Sequence, residues 1–200
     1  MTRIEDRPEF HVLPVMRPGN APLAALARSC AQLVVSENKL LENKGSLAQQ
    51  LAKDGQALSR LIEHWVEGQK GDRPETKLVL IVDQLEELIT QSPDESGQFQ
   101  KLLKHALAKQ WRHLHIVATL RLDFEAQFQS KGLLGEDWME SRFVISPMGQ
   151  AQLREAIELP AAARVLCFEP SSLVDRLIED VLQTPGALRL LSVTLSELYL

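Results

Sequence analysis

The hydrophobic pattern has one dominant feature. Leu78 to Val82 is an unbroken apolar run, rich in β-branched residues, between polar neighbours. Such a run reads as a strand buried on both faces, as in a parallel sheet. Leu114 to Leu120 (LHIVATL) reads as a second buried strand. Between them Ser92 to Ser96 reads as a break, after which Phe99, Leu102, Leu103, Ala106 and Leu107 recur at helical spacing. A crossover of that length makes the two strands parallel neighbours in one sheet. His11 to Met16 (HVLPVM) is a shorter strand, and its Pro14 suits a sheet edge because proline cannot donate to the ladder. Arg142 to Ser146 (RFVIS) reads as a further strand, ending at Pro147.

The remaining pattern is helical. Pro18-Gly19-Asn20 makes a turn, and Pro22 opens a helix striped with Leu23, Leu26, Ala27, Leu33 and Val34. Glu37 to Gly55 is polar and interrupted by Gly45 and Gly55, which predicts short helices and loops. Leu58, Leu61, Ile62, Trp65 and Val66 follow the spacing of an amphipathic helix, with Trp65 in the core. Gly68 to Thr76 reads as a flexible loop. From Gly149 onward only helices are predicted, over Gln150 to Ala163, Ser171 to Leu182 and Gly186 to Leu198. The fold class is therefore α/β: a parallel sheet flanked by helices over residues 1–148, followed by an all-α helical subdomain over residues 149–200.

The chemistry gathers at the end of the dominant strand. Asp83 terminates the apolar run, and Glu86 and Glu87 follow within one turn. The carboxyl ends of parallel strands are where open α/β sheets place ligands. A carboxylate there can hold Mg²⁺, which keeps several waters and substrate phosphates, and a further acidic group can position an attacking water. The plainer alternative is a solvated acidic helix start, favoured by the helix dipole. If the strands at 78–82 and 114–120 are parallel, Asp83 and Arg121 emerge at the same sheet edge. That pair could equally be a simple ion pair, and Asp123 is read as a capping or pairing residue. His113 and His115 have a metal-ligand spacing but no further His or Cys nearby, so a surface role is favoured.

Composition removes several classes. The net charge is −5 and no basic block appears, which argues against a direct nucleic-acid surface. No apolar run reaches transmembrane length and no secretory leader opens the chain, so a cytoplasmic, membrane-free protein is expected. The hydrophobic fraction of 44% suffices for a substantial core. Cys30 and Cys167 both sit in apolar sequence and are expected to be buried, reduced thiols. There is no internal repeat and no low-complexity tract.

The segment LVLIVDQLEEL, Leu78 to Leu88, resembles the Walker B strand of STAND-class P-loop ATPases, of the novel STAND NTPase type often joined to WD-repeat propellers in bacteria. Leu85 stands where that family usually has an aromatic residue. Further similarities follow in order: Arg17 to Leu26, Ala118 to Phe124, Pro147-Met148 with Leu153 to Ile157, and Pro185 to Leu188. The resemblance implies a P-loop NTPase sheet, ATP and Mg²⁺ as cofactors, and a nucleotide-gated signalling switch. By the same resemblance Asp83 would hold the metal, and Glu86, with Glu87 beside it, would position the attacking water. Arg121 would sense phosphate, and Pro185 and Gly186 would lie at the nucleotide. The implied partners are sensor or effector domains of the same polypeptide, such as a WD-repeat propeller, with a homo-oligomer also open. Arg189 departs from the proline that commonly follows the Pro-Gly-x-Leu turn in that family and faces the adenine side.

A phosphate-cradling loop needs Gly-x-x-x-x-Gly-Lys-Ser/Thr, and the sequence contains no Gly-Lys dipeptide. The expectation is a partial P-loop sheet, lacking its phosphate loop, whose strand at 142–146 has lost its neighbour and leaves an uncovered, aggregation-prone edge. The polar start and the amphipathic end likewise read as parts of a longer polypeptide, and residues 1–200 alone are expected to bind ATP weakly. The rival reading is a nucleotide-free interaction scaffold of the same fold. A third is another P-loop ATPase, of the origin-recognition or transport kind.

Overall fold

A computed structural model describes residues 7–34, 44–69, 76–130, 138–170, 172–184 and 186–198. The chain divides into two compact units, Met1–Trp138 and Met139–Leu200.

The first unit is built on a three-stranded parallel sheet in the order β1-β2-β3. The strands are β1 (Phe10–Val12), β2 (Lys77–Val82) and β3 (Leu114–Ala118). The strand predicted over residues 11–16 is shorter than expected: the Leu13 N–H still bonds the Val79 carbonyl at 2.9 Å, but Pro14 and Val15 then step out of the ladder. Pairing resumes beyond them, where Met16 bridges Val82 and its N–H bonds the Ile81 carbonyl at 3.0 Å. β2 is the central strand, and Leu78, Val79, Leu80 and Val82 are buried as the apolar run requires. Strand β3 is in register with it, Leu78 opposite Leu114 and Val82 opposite Ala118. Unlike the expectation of full burial, β3 alternates, with Leu114 buried and Val117 52% exposed. It is an edge strand among the described residues, so only one of its sides is paired.

Helices α1 (Pro22–Ser29), α2 (Lys44–Lys53) and α3 (Ala57–Gly68) connect β1 to β2, with a 3₁₀ turn at Cys30–Leu33. The short α4 (Glu87–Thr90) and the long α5 (Pro93–Gln110) connect β2 to β3. The break predicted at Ser92–Ser96 is instead the first turn of α5. Pro93 occupies a helix start, where its missing N–H is not needed, and Asp94 and Glu95 complement the dipole. Glu95 serves a second helix as well, since its Oε2 accepts the Leu23 N–H at the start of α1, at 3.2 Å. Leu26, Leu58, Ile62, Trp65, Leu80, Phe99 and Leu102 share one buried core. Trp65 is in that core as predicted, with His11 stacked obliquely 5.2 Å from it. Cys30 is fully buried as well, and burial pushes its thiol up to about 12. Beyond β3 a 3₁₀ turn (Leu122–Phe124) runs into α6 (Glu125–Ser130). The loop expected at 68–76 lies largely outside the described residues.

The second unit is helical and begins within the short α7 (Trp138–Ser141). Helices α8 (Gln150–Ala162), α9 (Ser172–Gln183) and α10 (Leu188–Leu198) match the three predicted within two residues at their ends. Gln152 Oε1 accepts the Gly149 N–H at 3.0 Å and so holds the start of α8. Leu153, Ile157, Val174, Ile178 and Leu191 form the core. Arg154 adds a polar tie, bonding Glu158 on its own helix and Asp175 on α9.

Two expectations fail in this unit. Arg142–Ser146 is not a strand; it is irregular, with Phe143 89% and Ile145 85% exposed. An apolar run becomes a strand only when a neighbour takes up its backbone N–H and C=O groups, and none does so among the described residues. Cys167 is exposed, not buried; on the stretch after α8 it is the neighbouring Phe168 that packs against the small core. No helix among the described residues is long and apolar enough to cross a membrane.

Candidate functional site

The parallel pairing sets three chain segments side by side at the carboxyl end of the sheet. After β1 comes Met16-Arg17-Pro18-Gly19, after β2 comes Asp83 to Glu87, and after β3 comes Thr119 to Asp123. Backbone bonds lock them together. The Asp83 N–H donates to the Met16 carbonyl at 2.8 Å, and Thr119 donates to the Val82 carbonyl at 2.9 Å. Leu85 donates in turn to the Thr119 carbonyl at 2.9 Å.

Asp83 is held at both oxygens. The Thr119 hydroxyl donates to Oδ1 at 2.7 Å, and the Arg17 Nε–H donates to Oδ2 at 2.8 Å. The Thr119 bond, then the Arg17 bond, keep the Asp83 carboxyl below its ordinary value, so it is anionic at neutral pH. The same Thr119 hydroxyl accepts the Gln84 N–H at 2.9 Å. That bond helps hold Gln84 at φ = 60°, a left-handed conformation that non-glycine residues rarely adopt. The sharp turn ends β2 at Asp83 and sends the chain past β3. Backbone strain of this kind, costing on the order of 1–3 kcal/mol, concentrates at functional sites.

Glu87 is tied back to the first segment, its Oε2 accepting the Gly19 N–H at 2.8 Å. Gly19 has φ = +56°, which glycine adopts without penalty. Glu86 has a looser contact, its Oε2 lying 3.4 Å from the Arg121 backbone nitrogen. The convergence of Asp83 with Arg121 at one sheet edge is present as expected, and the ion pair that was the plainer alternative does not form between them. The Arg121 guanidinium grips Asp123 through Nε at 3.1 Å and Nη2 at 2.8 Å, and lies 5.3 Å from the centre of the Phe124 ring. Asp123 is thus a pairing residue, as its sequence position suggested.

Three participants went unassigned by sequence reasoning: Arg17, Gly19 and Thr119. A signal for Arg17 exists, because a residue just beyond β1 must lie beside one just beyond β2 once the two strands are parallel. Thr119 follows from register, being one residue past Ala118, the partner of Val82. Of the remaining predicted residues, Gly186 lies in the second unit just before α10, at φ = +81°. Pro185 lies outside the described residues. No group of three or more His, Cys, Asp or Glu able to hold a metal occurs among the described residues, so His113 and His115 make no such cluster.

Comparison with curated proteins and with solved structures returns no match. A family model does match, and it spans the whole chain, residues 1–200, including both the carboxylate-bearing sheet edge and the helical unit. By that match the chain belongs to the family described as Novel STAND NTPase 1.

Proposed function

We propose that this chain is part of a nucleotide-gated switch, in which Mg-ATP bound at the carboxyl end of β2 and β3 sets the state of the module. The family implies a nucleotide-handling module. The observation that carries the finer reading is the anionic, oriented carboxylate of Asp83 at the sheet edge, with Glu86 and Glu87 one turn beyond.

The donor set suits a magnesium ion held mainly by water and phosphate, since such ions take only one or two protein carboxylates. Asp83 would hold it, directly or through water, with Thr119 fixing the direction of the carboxylate. Bound there, the ion would neutralise charge on the phosphate oxygens. Glu86 is the better placed group to orient a water, because among the described residues its carboxylate has only the long contact to Arg121, whereas Glu87 is committed to Gly19. Arg121 would reach a phosphate by giving up Asp123, with which it forms an exposed pair that costs little to break. Slow hydrolysis would reset such a switch, and its readout would fall to sensor or effector domains.

Residues 1–200 contain no Gly-Lys dipeptide, so they supply no phosphate loop of the usual pattern. We therefore expect millimolar Mg-ATP to leave the melting temperature of this chain unchanged. The decisive experiment is calorimetry of Mg-ATP with the intact protein, beside its Asp83→Asn variant. Tight binding that the substitution weakens or makes independent of Mg²⁺ supports the switch. A folded intact protein that binds no nucleotide would sink it and leave an interaction scaffold of the same fold.

A further inference from the structure

We propose that Arg17 is a gate on Asp83: its guanidinium occupies the carboxylate oxygen that Thr119 leaves open, so the Arg17–Asp83 pair competes with a divalent cation for this carboxylate. The inference rests on the metal role proposed for Asp83 and adds a residue that this reading did not require.

Three features of the structure lead to it. The Arg17 Nε–H lies 2.8 Å from Asp83 Oδ2, while Oδ1 is taken by the Thr119 hydroxyl at 2.7 Å. Thr119 is anchored in the sheet edge and also serves the Gln84 N–H, so its bond is fixed by the fold. Arg17 is the movable partner, its side chain 63% exposed against 27% for Asp83. A guanidinium carries its charge permanently, so it does not leave by losing a proton; it leaves by being outcompeted.

The gate also has a mechanical connection. Arg17 and Gly19 belong to the same turn, and the Gly19 N–H holds Glu87 Oε2 at 2.8 Å. The turn after β1 thus closes over both carboxylates at once, through a side chain at Asp83 and through the backbone at Glu87. Release of Arg17 removes the side-chain tie of this segment and leaves its backbone ties, from the Asp83 N–H to the Met16 carbonyl and from the Gly19 N–H to Glu87. A cation arriving at Asp83 therefore frees one guanidinium without unseating the second acidic group.

Exposed ion pairs are weak, which makes the gate easy to open. At that strength the pair lowers cation affinity by about two- to five-fold. The test uses Mn²⁺ alone as the probe, since it shares the oxygen preference of Mg²⁺ and can be followed by its electron paramagnetic resonance signal. Binding is measured for the full chain, Arg17→Gln, Asp83→Asn and Arg112→Gln. Arg112 provides a charge-matched control, because it precedes β3 and lies at the opposite end of that strand. Circular dichroism confirms that each variant is folded.

The expected result is Mn²⁺ binding tightened about two- to five-fold in Arg17→Gln, unchanged in Arg112→Gln and lost in Asp83→Asn. Equal affinities for Arg17→Gln and Arg112→Gln, with binding still lost in Asp83→Asn, overturn the gate and leave the metal role of Asp83 standing. Unaltered binding in Asp83→Asn overturns the metal role itself. Binding that is undetectable in both the full chain and Arg17→Gln also overturns the gate, since opening it would then expose no site.

Discussion

The sheet unit and the helical unit bury their apolar residues in different ways. In the first, β2 is covered on both faces, and Leu78, Leu80, Val82, Phe99 and Leu102 belong to one core that α1, α2, α3 and α5 share. In the second, a single seam formed by Leu153, Ile157, Val174, Ile178 and Leu191 joins three helices, while Phe143, Ile145, Leu159, Val165 and Leu190 remain exposed. Two-sided burial removes far more apolar surface from water per residue ordered, so the sheet unit has the larger reserve of stability. A left-handed non-glycine residue occurs in each, Gln84 in the first and Val165 in the second, but only the sheet unit has the concentrated charge of Asp83, Glu86 and Glu87 beside it. A large, rigid core is what allows such a cluster to be held in place.

The largest test of that contrast removes one core side chain from each unit. Phe99→Ala is expected to cost about 3–5 kcal/mol and Ile178→Ala about 2–5 kcal/mol, read by denaturant unfolding. Hydrogen exchange sharpens the comparison. Ile178→Ala should lose amide protection in α8, α9 and α10 while β2 and β3 keep theirs, and loss spread evenly through both units would refute the distinction.

The next effect is smaller and lies at the sheet edge. Thr119→Val removes the hydroxyl that donates to Asp83 and accepts from Gln84, and is expected to cost about 1 kcal/mol. The carboxyl of Asp83 is depressed in the folded state, so its contribution to stability is present above the ordinary Asp range and is lost as pH falls through the depressed value. With Thr119 gone the largest cause of the depression disappears. An NMR titration of the Asp83 carboxyl carbon should therefore move to higher pH, and an unmoved titration would show that Arg17 alone sets it.

Gly19→Ala is of similar or lesser size. No atom lies within 4 Å of the added methyl group, so the penalty is the left-handed backbone alone, about 1 kcal/mol in thermal unfolding. A stabilising result would mean that the turn holding Glu87 adopts another conformation. The smallest effect is chemical. A thiol reagent at neutral pH should modify Cys167, which is exposed, and spare Cys30, which is fully buried with a thiol pushed up to about 12. Mass spectrometry distinguishes one label from two, and rapid labelling of Cys30 would show that the sheet unit opens readily.

The two arginine–aspartate pairs show how far the candidate site was legible. Arg121 and Asp83 were expected at one sheet edge because their strands are parallel neighbours, and the backbone does bring them there. The side chain of Arg121 nonetheless chose Asp123, two residues away, where a fork-shaped grip and the face of Phe124 are both within reach. The partner Asp83 acquired was Arg17, 66 positions earlier in the chain, which no local pattern singles out. The strand expected at Arg142–Ser146 failed for a related reason, since apolar content proposes a strand but only a paired neighbour makes one.

The sequence by itself determined the elements whose stability is local or whose burial is complete. These include β2 from its unbroken apolar run, α3, α8 and α9 from their apolar stripes, and the acidic group at the end of β2. Their signals lie within one stretch of chain, where residue spacing maps directly onto one face or one strand. Only the tertiary structure decided which guanidinium holds Asp83, that Thr119 orients it, that Gln84 is strained beside it and that Glu87 is tied to Gly19. Those outcomes depend on the register of parallel strands far apart in sequence, which fixes distances that no local pattern contains.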